Sequence, residues 1–168
     1  MYCVSIDPSS TAIGWTIYIP GQSMEDPFGA IPIFGVFRPN SRRKPYERME
    51  DIAQWAKEWE AHPIDRVLIE VPSGAVNHGR NRGGGAGLSV YGFAAGVVWS
   101  ALSDLFDAVV PIKETWTGGF TKAKRQSVAA RHASGYDPKQ DKGGDAADAI
   151  CMAIWYHHMR KGEKHVAA

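Results

Sequence analysis

Four acidic residues stand where a carboxylate is costly unless it has a task. Asp7 closes the apolar run that holds Val4 and Ile6, and Glu70 is embedded in Val67-Leu68-Ile69-Glu70-Val71. Asp145 and Asp148 open an apolar helix three residues apart, so they share one of its faces. A charge inside an apolar strand is expensive to bury unless it is paired or bound to metal. Taken singly, each acid has a plainer use as a helix cap, an arginine partner or a favourable charge at a helix N-terminus. Taken together, carboxylates that converge without a cation repel one another, whereas two magnesium ions about 4 Å apart would neutralise them and activate water against a phosphodiester. Hard oxygen ligands suit Mg2+ or Mn2+ rather than zinc.

The basic residues are clustered too. Arg38, Arg42, Arg43, Lys44 and Arg48 stand against Glu47 alone, and Lys113, Lys122, Lys124, Arg125, Arg131, Lys139 and Lys142 stand against Glu114, Asp137 and Asp141. In a chain of net charge +1 this concentrates the remaining acids elsewhere, the polarity expected when cationic surface holds phosphate and carboxylates hold metal. Solvated helix faces produce similar runs.

The elements that must position these groups follow from periodicity. Tyr2 to Asp7 and Ala12 to Ile19 read as strands joined by the turn residues Pro8, Ser9, Ser10 and Thr11, and Ile31 to Phe37 reads as a third, giving an antiparallel start to a sheet. Met49, Ile52, Ala53, Ala56 and Trp59 recur at threes and fours, which predicts an amphipathic helix ending before Pro63 with Trp55 and Trp59 in the core. Val67 to Val71 and Ala108 to Ile112 are buried-strand runs, and helices are expected over about Leu88 to Phe106, Lys122 to Ala133 and Asp145 to Met159. The small residues Gly92, Ala94, Ala95 and Gly96 suit core packing, a dimer contact or both. The order predicts α/β architecture, a mixed sheet with helices on both faces, in a single domain over 1–168.

At 44% hydrophobic and 22% charged the composition is that of a globular domain. The longest apolar stretch, Val90 to Leu102, is too short to span a bilayer, and Asp7 interrupts the first apolar run, so neither a membrane span nor a signal peptide is expected. Cys3 and Cys151 lie in apolar segments and read as buried reduced thiols, which fits a cytoplasmic setting.

The segment Ile6-Asp7-Pro8-Ser9-Ser10-Thr11-Ala12-Ile13-Gly14-Trp15 resembles the opening strand and turn of RuvC Holliday junction resolvases, and Leu68-Ile69-Glu70 resembles their second acidic strand. Gly144-Asp145-Ala146-Ala147-Asp148-Ala149-Ile150 is the most specific match, to the Asp-Ala-Ala-Asp-Ala helix of that family. Order, separation and length agree over nearly the whole chain. The resemblance implies an RNase H-like five-stranded mixed sheet, a homodimer, and a catalytic and metal-binding quartet at Asp7, Glu70, Asp145 and Asp148 holding two Mg2+ or Mn2+ ions. It also implies a basic residue near the scissile phosphate at the start of the helix before the last acidic pair, where Lys122, Lys124 and Arg125 stand and Lys124 is favoured. The partner implied is branched DNA such as a four-way junction, with no nucleotide cofactor.

The loop Asn77-His78-Gly79-Arg80-Asn81-Arg82-Gly83-Gly84-Gly85 is more glycine-rich and basic than the resolvase pattern. Asn77, Arg80 and Arg82 are read there as DNA contacts, alongside Lys113, Lys122 and Arg125. His157 and His158 read as a frayed helix end, and Asp137 and Asp141 as solvated loop residues. Three other functions share parts of this pattern: a nuclease acting on flaps, forks or RNA-DNA hybrids, a non-catalytic junction-binding protein, and a sugar or acetate kinase relative. The last requires a second phosphate-binding domain, for which 168 residues leave no room.

Overall fold

The computed structural model describes residues 1–72 and 84–159, with 84–88 and 159 described by their helix alone. Five strands form one sheet in the order β3-β2-β1-β4-β5: β1 Cys3–Asp7, β2 Ile13–Tyr18, β3 Ile33–Phe37, β4 Arg66–Val71 and β5 Val109–Lys113. β1 pairs antiparallel with β2, β2 antiparallel with β3, and β1-β4-β5 run parallel, so the sheet is mixed as expected.

Alternation along the strands builds two cores. Val4, Ile6, Val67 and Ile69 face one side, where they meet α1 (Arg48–Lys57) and α2 (Gly84–Ser103) through Met49, Ile52, Ala94, Val98 and Leu102. Cys3 and Leu68 face the other side, under α3 (Lys122–His132) and α4 (Asp145–Ile154) with Ala129, Ala147, Ile150 and Cys151. Helices therefore cover both faces. Trp55 and Trp59 are buried edge-to-face, Trp59 in the 3-10 turn Glu58–Ala61 that follows α1. Both cysteines are buried and free.

Several boundaries differ from the periodicity, α2 ending at Ser103 rather than Phe106 among them. α2 begins at Gly84 rather than Leu88, because helix propagation from a packed apolar stretch outweighs the entropy cost of its glycines. The last helix stops at Ile154 and opens into a π-helical turn, Trp155–Met159. That turn carries Tyr156 and His157 against Tyr18, whose hydroxyl lies 3.0 Å from His157 Nε2, while His158 Nε2 lies 3.3 Å from the Pro27 carbonyl. The two histidines are packed, not frayed. No helix of the described residues is long and apolar enough to cross a membrane.

Candidate active site

Asp7 and Glu70 end adjacent parallel strands. The ladder runs Cys3 with Arg66 through Ile6 with Ile69, so one further step sets Asp7 beside Glu70 at the carboxyl edge of the sheet, both on the face covered by α4. On its other side Asp7 pairs with Gly14 of β2. Ser5, one pleat back, is fully buried, and its hydroxyl has no partner among the described residues.

Gly14 decides where α4 starts. A Cβ at Gly14 would overlap the Asp145 carbonyl and come within 3.0 Å of Ala146 N, so only a residue without a side chain admits the first turn of α4 against β2. Ala146, Ala147 and Ala149, all buried, continue that close approach. The first helical turn thus brings Asp145 and Asp148 to the sheet edge that holds Asp7.

The N-cap of α4 is Gly144 at φ +81°, left-handed backbone that glycine adopts without penalty and that offers no capping side chain. Asp141 supplies the missing acceptor. It accepts from Tyr136 Oη (2.8 Å), Gly144 N (3.1 Å) and Ala147 N (3.0 Å), and it is buried at 5% exposure. The expectation of a solvated Asp141 fails here: an acid three residues before a glycine-capped helix can reach back to the orphan N–H groups of its first turn. Asp137 is half-buried and accepts from Lys139 N at 2.9 Å.

The electrostatics are those of carboxylates forced together. Burial pushes Asp7 well above the ordinary carboxylate range, and the charges of Glu70, Asp148 and Asp145 push it further, against a smaller opposing pull from Arg125. No hydrogen bond to the Asp7 carboxylate forms among the described residues. Burial also raises Glu70, Asp145 and Asp148. Each of these three is engaged. Tyr91 Oη donates to Glu70 Oε1 (3.0 Å) and Trp116 Nε1 to Glu70 Oε2 (2.5 Å), and both bonds pull Glu70 back down. Arg125 grips Asp148 with Nε and Nη2, a half-buried bidentate ion pair. Arg38 Nη2 stands 3.9 Å from Asp145 Oδ2.

An oxygen-rich cluster in which Asp7 accepts no hydrogen bond from the described residues fits a hard divalent cation. As they stand, no three Asp, Glu, His or Cys side chains among the described residues are drawn tightly enough to hold one, because arginines occupy Asp148 and flank Asp145. A cation would have to replace Arg125 on Asp148.

The remaining predicted residues lie around this cluster. Lys124 is exposed, with Nζ over the Phe120 ring at 4.5 Å, and Lys122 Nζ donates to the Lys142 carbonyl while lying close enough to lower Asp145. Lys113 is exposed at the end of β5. Asn77, Arg80 and Arg82 lie outside the described residues. In the first basic run, Arg43 pairs with Glu50 and Asp51, and Arg48 donates to the carbonyls of Ser10, Ser41 and Arg43, so both serve the fold. Periodicity and spacing had no means of finding Tyr91, Trp116 or Asp141, which meet their partners only in the folded chain.

No family model matches the chain, and no curated protein sequence matches it. Among solved structures, Thermus thermophilus RuvC in complex with a Holliday junction substrate superposes with a TM-score of 0.66 at 16% identity, covering 92% of this chain and 91% of that one. A second Thermus thermophilus RuvC structure gives 0.64 at 16% identity, with 92% of each chain covered. The chain has the RNase H-like fold of RuvC.

Proposed function

We propose that this chain is a crossover junction endodeoxyribonuclease, which resolves Holliday junctions and related branched DNA by paired symmetric nicks in recombination and repair. The observation that carries the proposal is Asp7: half-buried at the end of β1, without a hydrogen bond among the described residues, and faced by Glu70, Asp145 and Asp148. Likeness in fold to a RuvC bound to a Holliday junction supports the choice of substrate. Asp7, Glu70, Asp145 and Asp148 would hold two Mg2+ or Mn2+ ions, which supply neutralisation of the acids and activation of water against the phosphodiester. Asp7, Glu70 and Asp148 would be the residues that hold the ions, and Asp145 would aid ligation or orient water.

Lys124 would stand near the scissile phosphate, and Lys122, Arg125 and Lys113 would hold the DNA nearby, Arg125 offering a planar fork to a phosphate once released from Asp148. Asn77, Arg80 and Arg82 would add contacts near the branch point. The products would be a 5′-phosphate and a 3′-hydroxyl. A homodimer of this single-domain chain, acting in the cytoplasm, would set two such sites about a two-fold axis and nick opposed strands.

The test is cleavage of a labelled immobile four-way junction with and without Mg2+, beside a flap and an RNA-DNA hybrid. Paired nicks on the junction are expected, and Asp7→Asn is expected to abolish them while a band-shift assay shows the junction still bound. Nicking retained by Asp7→Asn in Mg2+ would refute the assignment, and equal cutting of flap or hybrid would replace the resolvase with a broader nuclease.

A further inference from the structure

Glu70 differs from the other acids of the cluster in what holds it. Asp148 is gripped by a guanidinium and Asp145 has one nearby, and a metal ion must displace or outcompete these. Glu70 instead receives one neutral donor on each oxygen, Tyr91 Oη on Oε1 and Trp116 Nε1 on Oε2. Each carboxylate oxygen offers two lone pairs, so one hydrogen bond on each leaves room for a cation on either. Neither donor carries a charge that would repel that cation.

The donors come from separate elements. Tyr91 lies on α2, whereas Trp116 lies in the 3-10 turn Glu114–Thr117 that follows β5. Trp116 is itself fixed, 8% exposed and with its ring 6.2 Å from that of Trp155. It also lines a cavity of about 710 Å³ with Phe120, Val128, Ile154 and Trp155, where a smaller ring can be housed.

We propose that Tyr91 and Trp116 are positioning residues that hold the Glu70 carboxylate in one orientation for a divalent cation, an inference that rests on reading the acidic cluster as a metal site. Glu70 is then the member set before the metal arrives, and Asp148 the member that must change partners. Partners of metal ligands of this kind typically change metal affinity by about 10- to 100-fold when removed.

Isothermal titration of Mn2+ into the intact, DNA-free protein tests this without relying on turnover. Trp116→Phe and Tyr91→Phe are each expected to weaken Mn2+ binding about tenfold. Tyr91→Phe removes a single oxygen and guards against a folding defect in the tryptophan variant. In a Glu70→Ala background, Trp116→Phe should change Mn2+ affinity by less than about twofold, because no carboxylate remains to be oriented. In the otherwise wild-type protein, excess Mn2+ should restore the junction-cleavage rate of Trp116→Phe. Wild-type affinity in both phenylalanine variants, or an equal loss with and without Glu70, overturns the positioning role while leaving the nuclease reading intact. A wild-type protein that binds no Mn2+ overturns both.

Discussion

Replacing Gly14 by alanine adds one methyl group at the point where α4 touches β2. Gly14 does not have a positive φ, so alanine can adopt its backbone conformation and the whole effect is steric. The new Cβ would overlap the Asp145 carbonyl and press on Ala146 N, both backbone, so no side chain can swing aside. Ordinary van der Waals separation then requires the first turn of α4 to retreat by on the order of 1 Å. Overpacking of a tight site costs about 1–3 kcal/mol, and a backbone neighbour places this case near about 3. For a chain of this size that corresponds to a Tm lower by roughly 6–12 °C. Asp145 and Asp148 move with the helix, and a misplacement of about 1 Å at reacting groups can cost on the order of 100-fold in rate.

Calorimetry and single-turnover cleavage of a four-way junction, run well below the variant's Tm, separate the two effects. Gly35→Ala is the control, since its Cβ would meet the Trp15 indole at 2.7 Å, a side chain on β2 rather than the backbone of α4. It should lose stability and keep cleavage. A Gly14→Ala protein that melts early yet cleaves within a few-fold of wild type would show that the α4 approach does not position the acids. So would a Gly35→Ala protein as slow as Gly14→Ala.

Asp141→Ala should cost about 2–4 kcal/mol, because it strips an acceptor from two backbone N–H groups and the Tyr136 hydroxyl in a buried site, and chemical denaturation measures that loss. Asp141→Asn keeps one acceptor oxygen and should lose less. The pH dependence of the metal-free protein follows from the raised carboxylates: the folded state binds protons more tightly than the unfolded chain. Their destabilisation is therefore full above the folded values and relieved as pH falls through them toward about 4. His132, lowered by burial, works the other way, so the comparison is made against Asp7→Asn. In EDTA that variant should melt above wild type at neutral pH, with the gap narrowing toward about pH 5. A gap that is absent or widens on acidification contradicts the electrostatic account.

Much of this was legible in the chain because burial leaves a local trace. Asp7 and Glu70 stand out as charges inside β-branched runs, and Asp145 and Asp148 as a pair one helical turn apart, so spacing alone marks them. The strands announce themselves by alternation between turn residues, and the sheet order follows once β1 is central. What escaped depends on contacts across distance. Tyr91 and Trp116 lie 21 and 46 residues from Glu70, and only folding brings them to its two oxygens. The partner of Arg125 was equally hidden: Thr121 caps α3 by accepting from Lys124 N, and the next residue, Arg125, reaches Asp148. Asp141 was concealed by its loop composition, since proline and glycine on either side usually mark exposed chain.

The most direct measurement is anomalous diffraction from crystals of this protein soaked in Mn2+. Two peaks about 4 Å apart, enclosed by Asp7, Glu70, Asp145 and Asp148 with Arg125 swung off Asp148, are the predicted result. Saturating Mn2+ that gathers elsewhere, with Arg125 still seated on Asp148, would contradict it.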